Sequence, residues 1–204
     1  GVSDNTVVAF VGDHGWQLGD LGEFGKKTNF ERATRAPLII RDPIAHKKGV
    51  TSGKSMELVE FVDIMPTLID LALGSETVPP LCPLNSTNVD SCTEGQSLRP
   101  IMEASSKGAT KRSAAFMQYA YCMHDERVWH DACMGKTAPQ VMGYAIRTED
   151  KRYVEWRRNS TGEILSRELY DHSNDSFEVI NLADRKVSKE VVTLMSQLLR
   201  NGWR

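Results

Sequence analysis

No stretch of the 204-residue sequence approaches the roughly 20 apolar residues needed to cross a bilayer, which excludes a membrane-spanning helix from the chain as read. A large excess of charge of one sign is also missing. Lys and Arg total 25 against 27 Asp and Glu, a net of −2, so nothing argues for nucleic acid or an anionic membrane as partner. Cysteine is scarce, four in all, and none stands in Cys-x-x-Cys spacing, which excludes a zinc finger and a thioredoxin-type redox motif. There are no internal repeats and no low-complexity tract. The opening Gly1-Val2-Ser3 is neither a start nor a signal peptide, and the sequence reads as the C-terminal part of a larger protein.

What is present is ordinary globular composition, with 40% hydrophobic and 25% charged residues. The cysteines fall into two close pairs, Cys82 with Cys92 and Cys122 with Cys133, and Asn85, Asn159 and Asn174 each begin an Asn-x-Ser/Thr sequon in a turn-like segment. Together they point to the secretory route and two local disulfides; free thiols and chance sequons are the plain alternative. Two basic islands, RDPIAHKKG and RRNSTGE, read as solvated loops that at most hint at a polyanionic ligand.

Chemistry concentrates in VVAFVGDHGWQLGDLGEFGK, residues 7–26. Its apolar run, bounded by Gly12, predicts a strand buried on both faces of a parallel sheet. Ligands gather at the carboxyl ends of such strands, where Asp13 and His14 stand. A carboxylate beside an imidazole suits a divalent cation; the same pair serves equally as a turn that caps the next segment, and spacing does not choose. The Gly-rich continuation reads as a functional loop, and Lys26 within it can meet an anionic group or be a plain surface lysine.

Further on, 36–40 predicts a second strand, ELVEFV (57–62) a short one, and Asp63 caps a helix that ends at Gly74 with its apolar residues as core. Lys107–Arg112 reads as a boundary, giving domains 1–106 and 107–204. Beyond it the pattern becomes β: 114–120, then 141–148 and 152–157 joined as a hairpin, then ELYD (168–171). A long insertion separates Ala120 from Val141. Ser188 caps a closing helix with Val191, Leu194, Met195, Leu198 and Leu199 on one face.

Four separated blocks, VVAFVGDHGWQLGDLGEFGK, APLIIRDP, ELVEFVDIMPTLIDLA and ELYDHSNDSFEVINLA, resemble the C-terminal half of sulfatases. DHGWQLG with EFGKKTNF, VPPLCP…C and MGYAIRTEDKRYVEW are most similar to the branch that removes 2-O-sulfate from terminal iduronate of heparan and dermatan sulfate; 120–139 is the least alike. The resemblance implies an α/β, alkaline-phosphatase-like fold with a central, largely parallel mixed sheet, plus a small antiparallel subdomain closed by a helix. It implies calcium at Asp13 and His14, with His14 alternatively bonding the sulfate, and Lys26 as the catalytic lysine that reaches the sulfate. It implies a sulfated glycosaminoglycan as substrate and a lysosomal or secreted protein. The cysteine that sulfatases convert to formylglycine, in Cys-x-Pro/Ala-x-Arg, is not in this sequence; Cys82-Pro83-Leu84 comes nearest and fails. Half an active site is therefore expected here, inactive without its N-terminal half. The alternatives are a metal-dependent phosphodiesterase or phosphatase of the same superfamily, or a non-catalytic glycan-binding chain.

Overall fold

The computed structural model describes residues 1–47, 49, 53–83, 92–103, 112–125, 128–130 and 139–202. Asn85 and Cys133 lie outside these. The chain divides into two compact units, Gly1–Val11 with Leu38–Ser113, and Gly12–Pro37 with Ala114–Trp203.

In the first unit, β1 (Val8–Val11) pairs with β4 (Leu38–Arg41), and the register, Val8 on Arg41 to Val11 on Leu38, is antiparallel. Here the expected parallel, doubly buried strand is corrected: Phe10 is 60% and Ile39 63% exposed. A strand becomes buried on both faces only when neighbouring strands and covering layers surround it, and this two-stranded ribbon has no further strand among the described residues. The ELVEFV segment is not a strand either; Phe61–Asp63 is a single 3₁₀ turn. Helix α3 (Ile64–Leu73) stops at Gly74, whose φ of +102° suits glycine. Its buried face is Pro66, Thr67, Asp70 and Leu71, more polar than the apolar core face expected. Asp63 does not cap the helix through its side chain. It accepts backbone N–H bonds from Glu60 (2.8 Å) and Gln96 (2.9 Å) and pairs with Arg112, while Thr67 accepts from the Leu98 N–H (2.8 Å). These bonds tie the return of the loop closed by the Cys82–Cys92 disulfide onto α3, with α4 (Arg99–Met102) following.

The second unit is a five-stranded antiparallel sheet in the order β6-β5-β7-β8-β9, from β5 (Ala115–Asp125), β6 (Val128–His130), β7 (Val141–Arg147), β8 (Lys151–Arg158) and β9 (Ile164–Asp171). The β7–β8 hairpin is as the alternation predicts. The insertion after Ala120 is partly sheet, since β5 runs on to Asp125 and pairs with β6. Cys122 in β5 is disulfide-bonded.

Alternation sends successive side chains to opposite faces. One face, with Ile146, Tyr153 and Leu169, packs on Met195 and Leu199 of α5 (Lys189–Gly202). Leu194 (55%) and Leu198 (41%) turn to solvent, so the helix's buried stripe is narrower than its apolar sequence. The other face carries Val141, Ala145, Val154 and Trp156. The segment Gly12–Pro37 belongs to this unit and bonds to that second face. Gly143 is required there. A Cβ would lie 2.3 Å from the Trp156 ring and 2.5 Å from Asn29 Nδ2. Gly143→Ala is expected to cost about 1–3 kcal/mol by overpacking, read as a lowered denaturation midpoint.

Candidate active site

Gly12–Pro37 is closed at its neck by a hydrogen bond from the Gly12 N–H to the Pro37 carbonyl (2.9 Å). Inside, β2 (Gln17–Leu18) and β3 (Phe24–Gly25) form a minimal antiparallel pair, and α1 (Glu31–Thr34) follows. Gly15 donates to the Ala33 carbonyl (2.7 Å), so close to the chain that a Cβ would meet the Arg32 carbonyl oxygen at 2.0 Å. Buried Gln17 accepts from Thr28 Oγ1 (2.9 Å), bracing the stretch between the two ends of the site.

These restraints bring Asp13, His14 and Lys26 together. The His14 Nδ1 lies 2.7 Å from the Gly15 carbonyl oxygen. A carbonyl only accepts, so Nδ1 carries the proton and Nε2 presents a lone pair in the neutral ring. That lone pair receives a hydrogen bond from the Lys26 ammonium. Asp13 Oδ2 stands 3.2 Å from the same Nε2, with its side chain 86% exposed. Trp16, 53% exposed, flanks the imidazole with ring centroids 6.0 Å apart. The result is an ammonium held by an imidazole nitrogen beside an open carboxylate, suited to an oxyanion and a hard cation at adjacent positions. Asp13 fits such a cation as an oxygen ligand; the His14 lone pair is directed at Lys26.

What holds this segment on the sheet was missed in the sequence. Arg152, 1% exposed, donates to the Asn29 carbonyl (2.6 Å), to Thr34 Oγ1 (3.1 Å) and to the Glu31 carboxylate, and pairs through Nε with Glu178 at 2.6 Å. Glu178 in turn accepts the Glu31 N–H (2.8 Å) and lies 2.7 Å from His172 Nε2. Arg147 adds a bond to Glu31 (3.1 Å). Burial would raise the Glu31 carboxyl, but the charges of Arg152 and Arg147 and the bond from Arg152 outweigh it and hold the group below its ordinary value. Glu31, His172 and Glu178 bring ligand-type atoms within 4.8 Å of one another, as a metal would need. The Arg152 guanidinium already bonds Glu31 and pairs with Glu178, and a cation there would have to displace it. The signal in the sequence was a charged residue, Arg152, on an inward position of an otherwise packed strand.

Of the remaining sites, Asn159 and Asn174 stand in exposed turns, with side chains bonded to the Pro139 carbonyl (3.0 Å) and Asp171 (3.3 Å). Among the described residues no helix is long and apolar enough to cross a membrane.

A sulfatase family profile matches residues 1–75, which include the Asp13–Lys26 cluster. Residues 1–75 belong to the sulfatase family. Likeness to individual sulfatases extends beyond them. The mouse protein "Iduronate 2-sulfatase" is 33% identical over 206 residues, covering 87% of this chain and 37% of its own length. A structure solved with its substrate D-glucosamine-2-N,6-O-disulfate superposes with a TM-score of 0.64 at 25% identity, covering 98% of this chain and 34% of the other. A phosphonate monoester hydrolase from Silicibacter pomeroyi gives 0.69 at 25% identity, covering 97% and 35%. The chain thus spans little more than a third of these relatives. The fold is α/β of the alkaline-phosphatase-like sulfatase kind, of which the described residues hold the small antiparallel sheets and the C-terminal helix.

Proposed function

We propose that this chain supplies the sulfate-receiving part of a sulfuric ester hydrolase that acts on 2-O-sulfated iduronate at the ends of heparan and dermatan sulfate. The contact of Lys26 with the His14 lone pair, beside Asp13, is the observation that carries it. Lys26 donates to a sulfate oxygen and offsets the negative charge that grows there in the transition state. His14, fixed by the Gly15 carbonyl, keeps the ammonium aimed. Asp13 contributes one oxygen to a calcium ion, whose chemistry is to neutralise the sulfate and polarise its sulfur–oxygen bonds. The nucleophile and the remaining ligands belong to an N-terminal half, in keeping with the chain spanning 37% of the mouse relative. The iduronate preference is supported by that relative's name and the likeness over 87% of this chain. The Cys82–Cys92 disulfide supports a secretory, lysosomal or extracellular setting.

The test is Asp13→Asn in the whole protein. Calcium affinity by calorimetry is expected to fall at least about tenfold, together with sulfate release from a 2-O-sulfated iduronate disaccharide. Unchanged calcium affinity would remove Asp13 from the metal site. The likeness to phosphonate monoester hydrolase supports a second reading, since a tetrahedral phosphonate presents the same oxygens to Lys26. Faster turnover of a phosphonate monoester than of any sulfate ester would favour it.

A further inference from the structure

We propose that a cavity on the α5 side of the five-stranded sheet is a second anion site, built to take a sulfated saccharide. Its volume is about 340 Å³, at the small end of the roughly 300–1,000 Å³ of ligand pockets and suited to a sugar-sized group. Tyr144, Arg157, Arg158, Asn159, Leu199 and Arg200 line it. Register places it on the opposite face from the Asp13–Lys26 segment. Tyr144 shares a face with Ile146, which packs on α5, whereas Arg152 and Arg147, which bond that segment, project from the other.

The charge in the cavity is arranged rather than scattered. Arg157 is fixed by the fully buried carboxylate of Glu155 (Nε to Oε2, 2.8 Å) and lies 5.5 Å over the Tyr144 ring. Glu155 is further satisfied by the hydroxyls of Tyr153 (2.8 Å) and Ser196 (2.6 Å), so it faces the core. Arg158, at the cavity's rim and on the Arg152 side of the sheet by register, pairs at 3.2 Å with Glu163, itself 61% exposed. Arg200, in the last turn of α5, has no ion pair with any described residue. Two guanidinium groups, those of Arg157 and Arg200, therefore stand on this side against the single inward carboxylate of Glu155, leaving donors for an oxyanion. Guanidinium forks match the paired oxygens of a sulfate or carboxylate better than an ammonium does. The Tyr144 ring offers an apolar surface for the C–H face of a sugar ring. The basic island RRNSTGE finds its use here: Arg157, Arg158 and Asn159 of that run line the cavity.

The inference rests on the sulfated-glycan reading given above, and the experiment separates the two. A heparin-derived hexasaccharide is titrated calorimetrically into the whole protein carrying Lys26→Ala, after endoglycosidase trimming. Adding Arg200→Gln should weaken binding about tenfold, with an unchanged circular dichroism spectrum, and the desulfated hexasaccharide should not bind. Arg200→Lys, in place of Arg200→Gln, should recover part of the loss. Equal affinity with and without Arg200→Gln overturns the proposal, and so does equal binding of the desulfated saccharide. If Lys26→Ala alone abolishes binding, the cavity is no site although the functional reading survives. If Lys26→Ala leaves sulfate release intact, that reading fails and the cavity titration stands on its own.

Discussion

Replacing Arg152 with methionine should destabilise the protein by about 3–5 kcal/mol, the usual cost of stranding a buried charge. The arginine is 1% exposed and lies between Glu31 and Glu178, whose side chains are 15% and 2% exposed. Without it two carboxylates face each other out of water, and the Asn29 carbonyl and Thr34 hydroxyl lose a donor. In thermal unfolding of the whole protein this is a drop on the order of 10 °C. Adding Glu31→Gln and Glu178→Gln to Arg152→Met should restore part of it, because the unpaired charges go; no recovery would mean that lost packing dominates. The same network sets an acid limb. The Glu31 carboxyl lies below its ordinary 4.5 in the folded chain, so its contribution is present above that value and is lost as pH falls through the lower, folded one. In Arg152→Met, that share of the acid sensitivity should disappear.

Lys26→Ala in the whole protein should lower kcat for sulfate release about 10²–10³-fold, the range for removing one donor to a developing oxyanion. Stability should be unchanged, since Lys26 is exposed and bonds only the His14 ring among the described contacts. His14→Gln should act more mildly, because it loosens the aim of the ammonium without removing it. A Lys26→Ala enzyme at full rate would strip the residue of its role. A loss confined to KM would assign it to binding alone.

The antiparallel hairpin of 141–148 and 152–157 was legible because period-2 alternation and a short polar turn are local signals, and both survive folding intact. The end of α3 at Gly74 was legible for the same reason. The β1 strand was not: VVAFV states only that the strand is apolar, while its pairing partner and cover come from elsewhere in the fold. At the site, Asp13, His14 and Lys26 stood out as residue types, and their mutual geometry follows from Gly15, Gln17 and Thr28, whose bonds no spacing rule encodes. Arg152 escaped notice because a basic residue beside a turn normally points to water. Its burial is dictated by Glu31 and Glu178, far away in sequence and on opposite sides of it.

Strand β8 is spoken for on both sides: Arg152, Val154 and Trp156 toward one layer, Tyr153, Glu155 and Arg157 toward the other. Gain or loss of a single residue within it would swap the two sets at one stroke, placing the guanidinium of Arg152 against α5 and the ring of Tyr153 against Glu31. Many strands can hide a slip on a solvent face; between 152 and 156 this one has no such face. A length change inside 151–158 is therefore expected to disturb both layers at once, however conservative the residue added.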